Sequence, residues 1–193
     1  MHLHKVIPAG AGLGGGSADA AATLQLLNAI FRLGLSPAVL GAYALRLGSD
    51  CPFFLVNRPA IATGRGEILR EIPPPLGACR ILLINPGIHI STGVAFKSVT
   101  PRVPDKPIGS ILSQPLQTWR NELVNDFEAF VFERYPEVGR IKTMLYDAGA
   151  RYASMSGSGS TVYGIFDGGG TLPYTPPAHW YHAVVEPVSA KDF

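Results

Sequence analysis

Hydrophobic and polar positions alternate over HLHKVIP, residues 2–8, and this spacing predicts a β-strand. A glycine-rich loop follows over residues 10–16, and the periodicity then changes. Ala20, Leu24, Leu27 and Phe31 recur at steps of four, three and four, which predicts a helix over residues 17–33 with these four on its packed face and Gly34 as its stop. Ser36 and Pro37 supply an N-cap and a first-turn proline for a second helix running to Leu47 and ending at Gly48. Asp50-Cys51-Pro52 reads as a turn into FFLV, a short apolar piece. AIATGRGEILREI reads as two strands joined through residues 63–66. Pro73, Pro74 and Pro75 form a stiff link, so the expected domains are 1–75 and 76–193.

The second half opens with a buried strand, RILLINPG. Residues 98–107 contain three prolines and read as a loop. Helices are expected over 108–112, 123–134 and 137–148, with Gly149 closing the last. ARYASM, VYGIF and WYHAVVEPV are expected strands, the first two separated by SGSGST and the last preceded by the turn-rich DGGGTLPYTPP. No internal repeat is present. This order predicts an α+β fold, two layers per domain with helices on one side.

Composition narrows the class. Of 193 residues, 47% are hydrophobic and 16% charged, a globular balance poorer in charge than the usual ~25%. That deficit predicts much apolar surface, as an oligomer interface or an incomplete fold would leave. Sixteen basic and 14 acidic residues are spread along the chain for a net charge of +2, without the basic run a nucleic-acid partner needs. Cys51 and Cys79 fit neither a CxxC nor a Cys/His ligand pattern and read as reduced thiols of a cytoplasmic protein. MHLHKVIPAG has no apolar signal core, and no stretch is apolar for long enough to span a membrane. The histidines at 2, 4, 89, 179 and 182 form no metal pattern and read as surface residues.

Candidate chemistry begins with Pro8-Ala9-Gly10-Ala11-Gly12-Leu13-Gly14-Gly15-Gly16-Ser17, between the expected strand and helix. Five glycines in residues 10–16 let backbone N–H groups approach a ligand closely. The helix behind them offers unpaired N–H groups and a positive dipole end, and Ser17 adds a hydroxyl, so the segment can cradle phosphate. It is not a P-loop, because no Lys-Ser/Thr pair follows the glycines. A dinucleotide-binding reading needs an acidic residue ~20 positions on, and none occurs between Asp19 and Asp50. A glycine-rich turn without a ligand stays open at this point.

GLGGGSADAA resembles the ATP-binding loop of the GHMP kinases, and the wider GAGLGGGS-x-DAA is similar to their diphosphocytidyl-methylerythritol kinase branch; Ala18 departs from the serine usual there. The resemblance implies ATP phosphates held by Pro8, Gly10, Gly12, Leu13, Gly14, Gly15, Gly16 and Ser17, with Mg²⁺ accompanying ATP. LGSDCPFF, residues 47–54, resembles the same branch and implies that Asp50 faces the acceptor hydroxyl and the transferred phosphoryl group. The chemistry suits a carboxylate, since the hydroxyl nucleophile needs a proton acceptor or an orienting group. Alone, Asp50 reads as the cap of a turn; the phosphate loop and the family spacing favour the catalytic role.

Ser154-Met155-Ser156-Gly157-Ser158-Gly159-Ser160-Thr161 exceeds what a hairpin turn needs. It resembles the second glycine loop of GHMP kinases, with Ser156, Gly157, Ser158, Gly159 and Ser160 helping to close the active site. In STGVAFK, the Thr-x-x-x-Phe spacing falls where the branch binds cytidine, which implies a polar contact from Thr92 and a stacked base on Phe96. A place for Phe96 in the core is the equal alternative. NDFE, residues 125–128, also resembles the branch, and Asn125 and Asp126 are expected to stabilise a helix start.

The resemblance runs over residues 5–188 and implies the two-domain GHMP α+β fold: part of a ribosomal protein S5 domain 2-like unit and a ferredoxin-like C-terminal domain. It implies a monomer or homodimer that phosphorylates the 2-hydroxyl of a small cytidine diphosphate-linked methylerythritol. Family members carry an earlier segment with a phosphoryl-stabilising lysine that Lys5 does not match, so a truncated chain is expected. Another GHMP kinase, of homoserine or mevalonate type, and an inactive nucleotide-binding remnant are the alternatives.

Overall fold

The structure is a computed structural model that describes residues 2–169 and 174–187. The chain divides into two compact units, residues 14–75 and the described residues of 1–13 with 76–192. It passes from one to the other inside the first glycine loop, between Leu13 and Gly14.

The unit of residues 14–75 holds three helices and a hairpin. Helix α1, Gly15–Ile30, starts directly behind Gly14, which takes a left-handed φ of 67°. Its packed side is Ala21 with half-buried Ser17, Leu24 and Asn28, whereas Leu27 and Phe31 of the expected face are exposed. The small residues at the start of the helix set the packing face, and the larger ones further along do not follow it. Asn28 fixes the exit from α1: its side chain accepts from the N–H of Leu35 at 3.0 Å and donates to the same residue's carbonyl at 3.2 Å. Helix α2, Pro37–Leu47, begins as expected, with the Ser36 hydroxyl accepting from the N–H of Val39. FFLV is helical rather than merely apolar: α3, Cys51–Val56, has a proline in its first turn and ends on left-handed Asn57. Strands β1, Ala60–Thr63, and β2, Ile68–Glu71, pair antiparallel, from Ala60 opposite Glu71 to Thr63 opposite Ile68. Leu26, Ile30, Phe31, Leu33 and Leu47 leave a broad apolar surface on α1, α2 and the turn between them.

The other unit is built on a four-stranded antiparallel sheet in the order β4-β5-β3-β6. Its strands are β3, Cys79–Asn85; β4, Tyr152–Met155; β5, Val162–Asp167; and β6, Tyr181–Val185. Numbered within this unit the order is 2-3-1-4, the ferredoxin-like arrangement. Between β3 and β4 lie α4, Thr92–Lys97; α5, Ile108–Leu112; a 3-10 turn, Leu116–Thr118; α6, Trp119–Glu122; α7, Phe127–Arg134; and α8, Pro136–Asp147. The helix expected over 123–134 therefore begins four residues late, at Phe127, after a separate short helix.

Helices α7 and α8 bury Val131, Val138, Ile141 and Leu145 against Leu82, Ile84, Met155 and Val162. Alternate residues of a strand point to opposite faces, and the other face is covered too. There Ile111 and Trp119 pack with Ile81, Tyr152 and Ile165. The expectation of helices on one side is corrected by this second layer. Residues 2–9 form no strand, since no neighbouring strand pairs with them among the described residues. Leu3 and Val6 are exposed. The connection from β5 to β6 contains no helix among its described residues; residues 170–173 and Val188 of the expected last strand lie outside them. Among the described residues no helix is long and apolar enough to cross a membrane.

Candidate active site

Three glycines of the first loop take left-handed backbone angles, Gly10 at 67°, Gly12 at 79° and Gly14 at 67°. Such angles are costly for residues with a Cβ. Gly12 has a second reason to be glycine. A Cβ there would lie 2.2 Å from the carbonyl oxygen of Ser156 and 2.9 Å from that of Gly159. The two glycine loops interlock at this point. The Ser156 hydroxyl donates to the Gly12 carbonyl at 2.8 Å, and the Thr161 N–H donates to the Ala11 carbonyl at 3.2 Å. Ser160, fully buried, donates its hydroxyl to the Ile88 carbonyl at 2.6 Å. Asn85 at the end of β3 donates to the hydroxyls of Ser160 and Thr161. The ring of exposed His89 lies 3.6 Å from where a Cβ on Gly10 would be.

The first loop continues as the start of α1. Among the described residues no side chain caps that helix, and its first turn contains no acidic residue. The N–H groups and positive end of a 16-residue helix at Gly15, Gly16 and Ser17 are thus left for an external anion. Gly16 is exposed, with nothing within 4 Å of a Cβ built on it. Pro8 and Leu13 are half-buried.

Asp50 stands at the N-cap position of α3 but makes no capping bond, so the turn-cap reading of this residue is not what the structure shows. Its carboxylate is exposed, and the Ser49 hydroxyl donates to Oδ1 at 3.4 Å. The β1–β2 turn sits beside it: a Cβ on Gly66, whose φ is 112°, would lie 3.1 Å from Oδ1. α3 is tied to α1 by Phe54, whose ring is 2.7 Å from where a Cβ on Gly14 would be. LGSDCPFF and the start of α1 thus meet within residues 14–75.

On α4, Thr92 and Phe96 are four residues apart, one helical turn, and share a face. The hydroxyls of Thr92 and Ser158 are 3.1 Å apart, so this helix reaches the second glycine loop. Phe96 is 64% exposed and stands edge-to-face with Phe127 at 4.9 Å, which takes it out of the core.

Two residues beneath the second loop were not singled out as site residues by the sequence. Asn125 does support the helix start, accepting from the Phe127 N–H at 3.0 Å, but its amide also donates to the carbonyls of Met155 and Gly157. Glu128 is buried and accepts from the Met155 N–H at 2.8 Å and the Ser154 hydroxyl at 3.0 Å, with Lys142 paired to its other oxygen at 2.6 Å. An acidic residue inside the apolar run FEAFVF was the available signal for Glu128. Asp126 instead pairs with Arg102 at the surface, at 3.7 Å.

Known proteins resemble this chain in sequence and fold. The family description "GHMP kinases N terminal domain" matches residues 1–58, and "GHMP kinases C terminal" matches residues 109–171. The chain belongs to the GHMP kinase family. A curated relative from Bacteroides thetaiotaomicron, 4-diphosphocytidyl-2-C-methyl-D-erythritol kinase, is 50% identical over 175 residues, which is 91% of this chain and 64% of that protein. The protein of the same name from Cytophaga hutchinsonii is 51% identical over 168 residues, 86% of this chain and 62% of the relative. The chain thus spans somewhat under two thirds of the length of these relatives. A crystal structure of 4-(cytidine 5'-diphospho)-2C-methyl-D-erythritol kinase matches with a TM-score of 0.73 at 36% identity, covering 86% of this chain and 60% of that one. A homoserine kinase structure from Cytophaga hutchinsonii, at 16% identity and a TM-score of 0.56, shares the fold.

Proposed function

We propose that this GHMP kinase chain belongs to an ATP-dependent enzyme that phosphorylates the 2-hydroxyl of 4-diphosphocytidyl-2-C-methyl-D-erythritol, a step of non-mevalonate isoprenoid precursor synthesis in the cytoplasm. One observation carries the reading: Phe54 packs on Gly14 and so holds α3, with Asp50 at its head, against the uncapped start of α1. A carboxylate and an anion-binding helix end are the two parts phosphoryl transfer to an alcohol requires. The half-identical relatives of that name support the choice of substrate.

In this reading Gly12, Leu13, Gly14, Gly15, Gly16 and Ser17 grip the phosphates through backbone N–H groups and the Ser17 hydroxyl. Asp50 orients the acceptor hydroxyl and takes its proton as the oxygen bonds to the γ-phosphorus and the bond to ADP breaks; the proton then leaves to solvent. Phe96 stacks on the cytosine ring and Thr92 offers a hydroxyl beside it. Among the described residues no three His, Cys, Asp or Glu side chains converge as a metal cage. Mg²⁺ would enter with the nucleotide on phosphate oxygens and neutralise their charge; Ser17 and Asp50 are the side-chain oxygens that would meet it. The partner is a small molecule, and the assembly is a monomer or homodimer.

The test is ATP-dependent phosphorylation of the cytidyl alcohol by this chain, beside a form extended upstream by its own coding sequence. Phosphate on the 2-hydroxyl in either form supports the reading. Transfer to homoserine in its place overturns the substrate, and ATP binding without transfer in both forms overturns the kinase.

A further inference from the structure

Asn125 and Glu128 lie three positions apart at the entry to α7, and between them they hold the base of the second glycine loop. The Asn125 amide donates to the carbonyls of Met155 and Gly157, each at 2.8 Å. One oxygen of Glu128, a residue 6% exposed, accepts from the Met155 N–H and the Ser154 hydroxyl. Both edges of Met155 and the first glycine carbonyl are thereby fixed from one short segment. Within the loop, the N–H groups of Ser156, Gly159 and Thr161 donate to Thr161, Ser156 and Ala11 carbonyls. Those of Gly157 and Ser158 have no acceptor among the described residues, and Gly157 is left-handed, with φ 55°. Successive free N–H groups about a left-handed residue form an anion-binding concavity.

We infer that Asn125, backed by Glu128, is a positioning residue: it pins two carbonyls away from the loop's mouth so that the Gly157 and Ser158 N–H groups face phosphate oxygens of the nucleotide. The ligand in this inference rests on the nucleotide-binding reading above; the anchoring does not. Asn125 also carries out ordinary helix capping through Oδ1, and Asn125→Asp separates the two roles. The substitution keeps size and the capping oxygen and adds negative charge at a helix start, where charge of that sign is favourable. It removes both donors and sets a carboxylate against two carbonyls.

The experiment is residue-resolved amide hydrogen exchange on the full chain, wild type against Asn125→Asp, first without nucleotide. Exchange at Ser156, Gly159 and Thr161 is expected to quicken by about tenfold or more, while amides of α7 stay unchanged or slow. Unchanged loop amides overturn the inference, and so does equal quickening in α7 and the loop, which would reduce Asn125 to a cap. Asn125→Ser, which retains an acceptor but cannot reach both carbonyls, serves if the aspartate variant does not fold and carries the same expectation. ATP is then added to the wild type. Protection at Gly157 and Ser158 supports the ligand assignment; its absence overturns the nucleotide reading of this loop, whatever the first arm shows.

Discussion

Phe54 rests its ring on the Cα of Gly14, closer than any residue with a Cβ would allow. Gly14 also has a left-handed φ of 67°, so it is constrained by space and by backbone angle together. Gly14→Ala is expected to destabilise the chain by about 2 kcal/mol, the left-handed penalty plus displacement of an aromatic ring. Thermal or urea unfolding measures it.

Asp50 is exposed, and among the described residues Ser49 is the one side chain that bonds it. Asp50→Asn should therefore leave the unfolding midpoint within the small range of surface substitutions, about 0.5 kcal/mol. Phosphoryl transfer by the active form should fall by about 10²–10⁴-fold, with ATP affinity unchanged. A parallel loss of stability and activity would reassign Asp50 to a structural role.

Gly12 and Gly16 separate folding from binding. Gly12→Ala forces a Cβ into the Ser156 carbonyl and should lower both stability and ATP affinity. Gly16 sits in helical backbone with open space around it. Gly16→Ala should raise stability by up to about 1 kcal/mol through helix propensity, while the added methyl weakens ATP binding. Calorimetric titration beside a melting curve distinguishes the two patterns.

Phe96→Ala removes a ring that is mostly in solvent, so its folding cost should be under about 1 kcal/mol. If the ring stacks on cytosine, KM for the cytidyl alcohol should rise about tenfold, in line with aromatic stacking energies, and kcat should hold. An unchanged KM would place the base elsewhere.

Tyr152 is buried and donates its hydroxyl to the Leu123 carbonyl at 2.8 Å. Burial, with Tyr163 nearby, holds its phenol neutral far above the ordinary tyrosine range, and burial raises Tyr163 and Tyr146 as well. In the unfolded chain these phenols ionise near pH ~10, before the folded ones do, so stability should fall as pH rises through that value. Tyr152→Phe should cost about 1 kcal/mol at neutral pH from the lost hydrogen bond and make the alkaline decline shallower. Urea midpoints between neutral and strongly alkaline pH provide the check.

What the sequence made legible was local. The Ser36-Pro37 helix start, the strand RILLINPG and both glycine loops depend on neighbours in the chain and lie where their patterns put them, and the hairpin turn expected at residues 63–66 falls one residue later, at 64–67. Alternation over HLHKVIP did not make a strand, because alternation specifies faces and a strand also needs a partner edge. The four-three-four spacing in α1 named Leu27 and Phe31 for the packed face, while packing had been decided by Ala21 and Ser17 earlier in the helix. Asn125 was read as a helix cap and is one, but its reach to Met155 spans 30 residues and no local pattern encodes it. The same holds for Ile111 and Trp119 on the far face of the sheet.

The bond between Gly12 and Ser156 joins residues 144 positions apart. Translation at ~5–20 residues per second separates their synthesis by roughly 7–30 s. Throughout that interval the nascent chain exposes its first glycine loop without the clasp that shapes it. The loop therefore takes its clasped shape only after Ser156 has left the ribosome.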